Sequence, residues 1–302
     1  MTQTTTLDPY PSRLDEPRLI RRREPTAWGG PSRPVAGPLS AEQVQQFDRD
    51  GFIALPGLLA EAEVVRYRAE LDRVAADPNR SDDPRFVLEA RNDAIRSVFE
   101  IHRSNDVFRS LAQDSRIADA ARQILASDVY IHQSRVNVKP PMVGKGFFWH
   151  SDFETWHAED GMPQMRCLSA SIALTENTEF NGPLMVVPGS QRTFVACAGA
   201  TPEDNYQQSL QMQEAGTPDL ASLKALVDAG GIVAPKGPAG SVVLFECNVM
   251  HASTENLSPY PRSNAFFVYN SLENRLVEPF AAPAPRPPYI ATREFTPLDR
   301  LG

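Results

Sequence analysis

The sequence predicts a mainly β protein with flanking helices, its core a barrel or a double-sheet jelly roll. Three observations carry this. From position 129 onward, β-rich runs fall at 129–139, 147–153, 166–174, 184–187, 232–233, 241–246 and 264–270, most of them punctuated by Gly, Pro, Asn or Asp. Upstream of them, apolar residues recur at helical spacing. Prolines crowd both ends, seven in residues 1–40 and six in 279–302. Proline interrupts helices and sheet ladders alike, so both ends read as extended segments outside the core.

Taken in order, residues 1–39 form a Pro-rich arm. Its Arg21-Arg22-Arg23 cluster lies among Asp15, Glu16 and Glu24 and reads as solvated. Ser40 is an N-cap, Gln43 completes a capping box, and Leu39 and Val44 occupy the staple positions of a helix running to about Asp50, where Gly51 ends it. A short strand follows over 52–59, broken by Pro56-Gly57. Val64, Tyr67, Leu71 and Val74 define an amphipathic helix over 60–76, and 104–126 reads as further helix. A polar, partly helical insertion over 202–229 interrupts the strands. The 302 residues allow one large domain or two small ones. No internal boundary is visible, so 40–302 reads as one domain: a helical part over 40–127, a β-core over about 128–275, and a Pro-rich C-terminal segment.

Composition narrows function. Thirty Lys and Arg against 38 Asp and Glu leave a net charge of −8, which argues against nucleic acid as a partner. No apolar run reaches the ~20 residues of a membrane span. Three widely spaced cysteines and no recognisable secretory signal point to a reducing, cytoplasmic setting. Five histidines bound any imidazole chemistry: His102, His132, His150, His157 and His251.

On a strand, residues i and i+2 share a face. His150 and Asp152 would then converge, and His251 follows the apolar run at 241–245. Two histidines and one carboxylate form the facial triad of Fe(II) oxygenases, which leaves positions open for substrate and O₂. Zinc with a bound water is the physical competitor, and residue types alone do not separate the two. His157 is a rival ligand, placed by its neighbours in a turn leading to Asp160-Gly161. Arg262 introduces the run at 264–270, where a guanidinium can pair with a carboxylate such as that of 2-oxoglutarate. Along 129–139 the odd positions Gln133, Arg135, Asn137 and Lys139 are polar, so that face meets solvent or lines a polar pocket; the even positions are Tyr130, His132, Ser134, Val136 and Val138. Gln133 and Lys139 offer an amide and a cation to a small polar ligand. Phe147 and Trp156 offer aromatic walls that exclude water and face a delocalised cation.

The stretch Phe147-Phe148-Trp149-His150-Ser151-Asp152-Phe153-Glu154-Thr155-Trp156-His157-Ala158-Glu159-Asp160-Gly161-Met162-Pro163 resembles the signature of the ectoine hydroxylases, within the phytanoyl-CoA dioxygenase-like family of Fe(II)/2-oxoglutarate oxygenases. The similarity continues through 131–135, 181–185 and 259–264 and covers about residues 40–280. It implies a double-stranded β-helix core of the jelly-roll, cupin-like type and a homodimer. It implies Fe(II) on His150, Asp152 and His251, 2-oxoglutarate on Arg262 with Lys139 and Asn137, and ectoine contacts from Gln133, Trp156 and Phe147. The expected reaction is hydroxylation of ectoine to 5-hydroxyectoine, consuming O₂ and releasing succinate and CO₂. The alternatives are a related oxygenase acting on another small polar molecule, a non-catalytic jelly-roll binding protein, and a zinc hydrolase. Asp152 argues against a halogenase, because related halogenases lack that carboxylate. Two departures stand out: Ala252-Ser253-Thr254-Glu255-Asn256 follows His251 where relatives often read Gly-Ser-Asn-Gly-Asn, and Phe148 replaces a frequent tyrosine.

Overall fold

The computed structural model describes residues 8–30, 33–89, 94–209 and 213–300. In chain order the elements are β1 (Arg18–Arg21), α1 (Ala41–Asp50), β2 (Phe52–Leu55), α2 (Glu61–Ala75), β3 (Phe86–Leu88), β4 (Ile95–Phe99), α3 (Ile101–Ser104), α4 (Asp106–Ala112) and α5 (Ser115–Leu125). There follow β5 (Val129–Lys139), β6 (Phe147–His150), α6 (Asp152–Asp160), β7 (Cys167–Ala173), β8 (Leu184–Val186) and β9 (Thr193–Ala196). The last are α7 (Asn205–Ser209), α8 (Leu220–Gly230), β10 (Val242–Glu246), β11 (His251–Ser253) and β12 (Arg262–Ser271).

Local chemistry explains the helix boundaries. Ser40 Oγ accepts from the Gln43 N–H at 3.3 Å, and Gln43 Oε1 accepts from the Ser40 N–H at 2.8 Å, which closes the capping box of α1. Leu39 and Val44 are both buried beside it, and Gly51 ends the helix at φ +80. The single helix expected over 104–126 is two. Asn105 caps α4 and Asp114 caps α5 through their side-chain oxygens, and each such cap starts a helix anew.

An antiparallel sheet of order β2-β10-β7-β12-β5-β4-β3 faces a three-stranded sheet of order β6-β11-β8. Strand alternation divides the core into two layers. Val242 and Leu244 of β10 join the cluster against α1, α2, α4 and α5, whereas Val243 and Phe245 turn inward to meet Leu184 and Val186 of β8. The result is the jelly-roll sandwich that the short strands foreshadow.

Two expectations about strands need correction. The 147–153 run is not one strand: β6 stops at His150, and Asp152 opens a helix that reaches Asp160, so His157 is helical. The even-odd pattern of 129–139 also breaks. Val268 pairs with Gln133 and Tyr269 with Ile131, which leaves His132 as the extra residue of a bulge. Val129 and Ile131 consequently share the helix-side core with Val136, while His132 turns toward α6.

Residues 8–30 are not a solvated arm. β1 pairs with β9, Tyr10 is fully buried, and Arg22 forms a buried ion pair with Glu246 at 2.8 Å. Within the triple arginine only Arg21 and Arg23 are exposed. No helix of the described residues is long and apolar enough to cross a membrane.

Candidate metal centre

β6 and β11 are paired so that His150 stands directly opposite His251. Their rings lie 4.2 Å apart between centroids. Asp152 arrives from the first turn of α6, and its two oxygens reach His150 Nε2 at 3.7 Å and His251 Nε2 at 3.9 Å. One ligand atom from each of the three residues lies within 4.8 Å of the others, and all three residues are buried. Among the described residues this is the one cluster of three His, Cys, Asp or Glu side chains so arranged. Convergence thus comes from a strand end plus a helix start, not from the strand alternation that the spacing suggested.

The tautomers suit metal binding. His150 Nδ1 lies 2.7 Å from the Phe148 carbonyl, and His251 Nδ1 lies 3.0 Å from that of Val249. A carbonyl only accepts, so each Nδ1 carries the proton and each Nε2 presents a lone pair toward Asp152. Burial, followed by the neighbouring His251, pushes the His150 pKa down to about 4, which keeps that ring neutral. The entry of α6 is tied down: the Phe153 N–H donates to the Cys247 carbonyl at 2.8 Å, and Ser151 Oγ donates to Asn248 Oδ1 at 2.9 Å. These residues fit a divalent metal ion with the His₂-carboxylate donor set.

A cavity opens beside the three ligands. Gln133, Asn137, Phe147 and Trp156, all singled out in the sequence, line it. So do Arg135, Thr155 and Arg286, which sequence reasoning did not single out. Arg135 carried a signal, its place on the polar face of β5. Arg286 carried none, lying in a segment whose prolines marked it as peripheral. Arg135 Nη1 donates to Gln133 Oε1 at 2.8 Å, and Gln133 Nε2 donates to the Ile290 carbonyl at 3.0 Å. Asn137 Oδ1 accepts from Ser97 Oγ at 2.7 Å.

Lys139 and Arg262 stand opposite each other in the β5–β12 ladder. Lys139 Nζ donates to Ser253 Oγ at 2.8 Å and to the Thr254 carbonyl, and it sits 5.7 Å from the Phe147 ring centroid. Arg96, also missed, covers the same ring at 4.6 Å. Arg262 Nη1 donates to the Gly182 carbonyl at 2.7 Å, but its buried Nε has no hydrogen-bond partner. Burial pushes Arg262 down to about 10, and burial followed by the Arg262 charge pushes Lys139 down to about 6. A buried, under-partnered guanidinium beside a destabilised ammonium is a seat for an anion. His157 is not a ligand: its Nδ1 meets the Met162 carbonyl at 2.7 Å and its Nε2 meets Asp8 at 2.9 Å.

The chain is 52% identical over 295 residues to a protein of Streptomyces avermitilis named ectoine dioxygenase, covering 98% of this chain and 99% of the relative. A protein of the same name from Streptomyces coelicolor is 53% identical over 300 residues, covering 99% and 100%. The crystal structure of EctD from S. alaskensis with 2-oxoglutarate and 5-hydroxyectoine superposes with a TM-score of 0.84 at 44% identity, covering 97% of this chain and 100% of that one. Because the pattern described as Phytanoyl-CoA dioxygenase (PhyH) matches residues 47–264, a span that contains all three ligands and Arg262, the chain belongs to the phytanoyl-CoA dioxygenase family.

Proposed function

We infer that this protein hydroxylates ectoine to 5-hydroxyectoine, with Fe(II) as cofactor and 2-oxoglutarate and O₂ as co-substrates, releasing succinate and CO₂. The observation that carries the reading is the buried His150–Asp152–His251 cluster at the edge of a cavity walled by Gln133, Trp156 and Arg286. Supporting it, relatives at about half identity over nearly the whole chain are ectoine dioxygenases. One solved relative, EctD from S. alaskensis, was crystallised with bound Fe and, separately, with 2-oxoglutarate and 5-hydroxyectoine.

His150, Asp152 and His251 would hold the iron, each histidine offering its Nε2 lone pair and Asp152 a carboxylate oxygen. Fe(II) and 2-oxoglutarate, when bound, supply the activation of O₂ and the transfer of one oxygen atom to a C–H bond. The protein's own side chains bind, orient and keep the site dry. Arg262 receives the distal carboxylate of the keto acid, with Lys139 and Asn137 beside it; the unpartnered Arg262 Nε gains the acceptor it lacks. Phe147 shields this anion seat from water. Ectoine carries one carboxylate and a delocalised amidinium. Trp156 and Phe147 offer aromatic faces to the cation, while Gln133 and Arg286 offer polar contacts. We place this activity in compatible-solute biosynthesis, and hence osmoprotection and the stress response, in the cytoplasm as a homodimer. Three free cysteines, all buried, suit a reducing compartment.

The test is mass detection of hydroxylated ectoine in the presence of Fe(II), with and without 2-oxoglutarate. A product 16 mass units heavier, dependent on the keto acid and matched by succinate, is expected from the addition of one oxygen atom. Succinate formation that ectoine does not stimulate refutes the reading.

A further inference from the structure

The second half of the α6 motif, beyond the metal ligand and Trp156, has no role in the reaction as described so far. It ends on Asp160, fully buried in the last turn of the helix. A carboxylate at a helix C-terminus faces the negative end of the helix dipole, so helix stability alone disfavours it there. Its partner is Arg286 on the cavity wall. Arg286 Nε donates to Asp160 Oδ1 at 2.8 Å and Nη2 donates to Oδ2 at 2.5 Å. This fork uses one edge of the guanidinium and leaves Nη1 with no partner among the described residues, in a side chain that lines the cavity with His150, Asp152 and Trp156.

The surroundings fix the pair. The β5 bulge turns His132 so that its Nε2 lies 3.2 Å from Asp160 Oδ2 and its ring meets Trp156 edge-on at 5.3 Å. Bulges re-aim side chains beside active sites in this way. Arg293 Nη2 donates to the Asp160 carbonyl at 3.1 Å. Gly161 adopts φ +78 after the helix, where a Cβ would strike the Val277 carbonyl, and the Ala281 N–H donates to the Ala158 carbonyl at 2.9 Å. Burial works to raise the Asp160 pKa, but Arg286 and His132 outweigh it and hold the group at about 2, so it stays an anion.

We propose that Asp160 is a positioning residue: it holds Arg286 by one edge so that the other meets the carboxylate of ectoine, with the His132 ring packed behind it. The proposal rests on the ectoine reading above. Arginine suits the task because its planar fork serves two carboxylates at once, which a lysine does not do.

The test uses Asp160→Asn, Asp160→Glu, Arg286→Gln and the Asp160→Asn/Arg286→Gln double variant of the full chain. Ectoine Kd is measured by calorimetry without O₂, with Fe(II) and 2-oxoglutarate present. KM for ectoine and for 2-oxoglutarate and the melting temperature are measured alongside. We expect either Asp160 substitution to raise ectoine Kd and KM at least tenfold while KM for 2-oxoglutarate stays within twofold. The double variant should bind ectoine no more than twofold worse than Arg286→Gln, since Asp160 acts through Arg286. If Asp160→Asn does not fold, Asp160→Glu carries the prediction alone. Unchanged ectoine Kd in a folded variant, multiplied losses in the double variant, equal damage to both KM values, or failure of both Asp160 variants to fold each overturns the proposal. Wild type that neither binds nor is stimulated by ectoine refutes the parent reading instead, and this proposal with it.

Discussion

Lys139 is the cation of the proposed co-substrate seat whose charge burial most disfavours. Burial and the Arg262 charge bring its pKa from 10.5 to about 6, so at pH 8 the ligand-free ammonium has lost its proton. An unfolded lysine keeps that proton to near pH 10.5, so between these limits the unfolded state binds more protons and ligand-free stability rises with pH. A dicarboxylate seated beside Lys139 favours the charged form and reverses the shift. Binding of 2-oxoglutarate at pH 8 should therefore take up close to one proton. Calorimetry in buffers of different ionisation enthalpy reads this number directly, and Lys139→Met should reduce it to near zero.

At the scale of elements, β10 shows how one strand serves two cores. Leu244 is fully buried on its helix side, so Leu244→Ala should cost about 2–5 kcal/mol in denaturant unfolding. Its neighbours Val243 and Phe245 face the other layer, and a one-residue slip would exchange the two sets. Elements with local signals could be read without the structure. Ser40, Gln43 and Gly51 bound α1 through contacts within one or two turns, and of the two readings open for the polar odd positions of β5, solvent face or pocket wall, Gln133, Arg135 and Asn137 follow the second. The α6 helix was not readable from local signals. Its nine residues are all buried, so no polar face marks a helical period, and it follows the aromatic strand β6 after Ser151 alone. The break at Asp114 was visible in principle, since Asp before Ser-Arg-Ile is a cap, but continuous apolar spacing on both sides concealed it.

Across the whole molecule, the proline-rich ends are the straps of the active-site helix, and no local rule announces a contact between residues more than 120 apart. Arg13 Nε donates to Glu154 at 2.7 Å and Arg13 Nη2 donates to Glu159 at 3.0 Å, with every side chain of the group almost wholly buried. Burial already pushes the Glu159 pKa up, and Arg13 opposes this. Arg13→Ala removes the cation between two buried carboxylates, leaving Glu154 the neutral donor Ser12 and Glu159 the neutral donor Asn205, and should cost about 3–5 kcal/mol by equilibrium denaturation. Arg13→Lys should recover less than half of that loss, because a point charge does not span both partners.

The wrapping of α6 has a consequence for how the enzyme comes into being. Its carboxylates close on Arg13, 141 and 146 residues earlier, and on Arg286, 126 residues later. Contacts of such separation form slowly, and a chain leaving the ribosome folds from its N-terminal end. The strand ladders are all synthesised by Ser271, yet the cavity wall lacks Arg286 until the following segment emerges and docks. A chain that ends before Arg286 therefore lacks one wall of the cavity and the guanidinium that closes on Asp160.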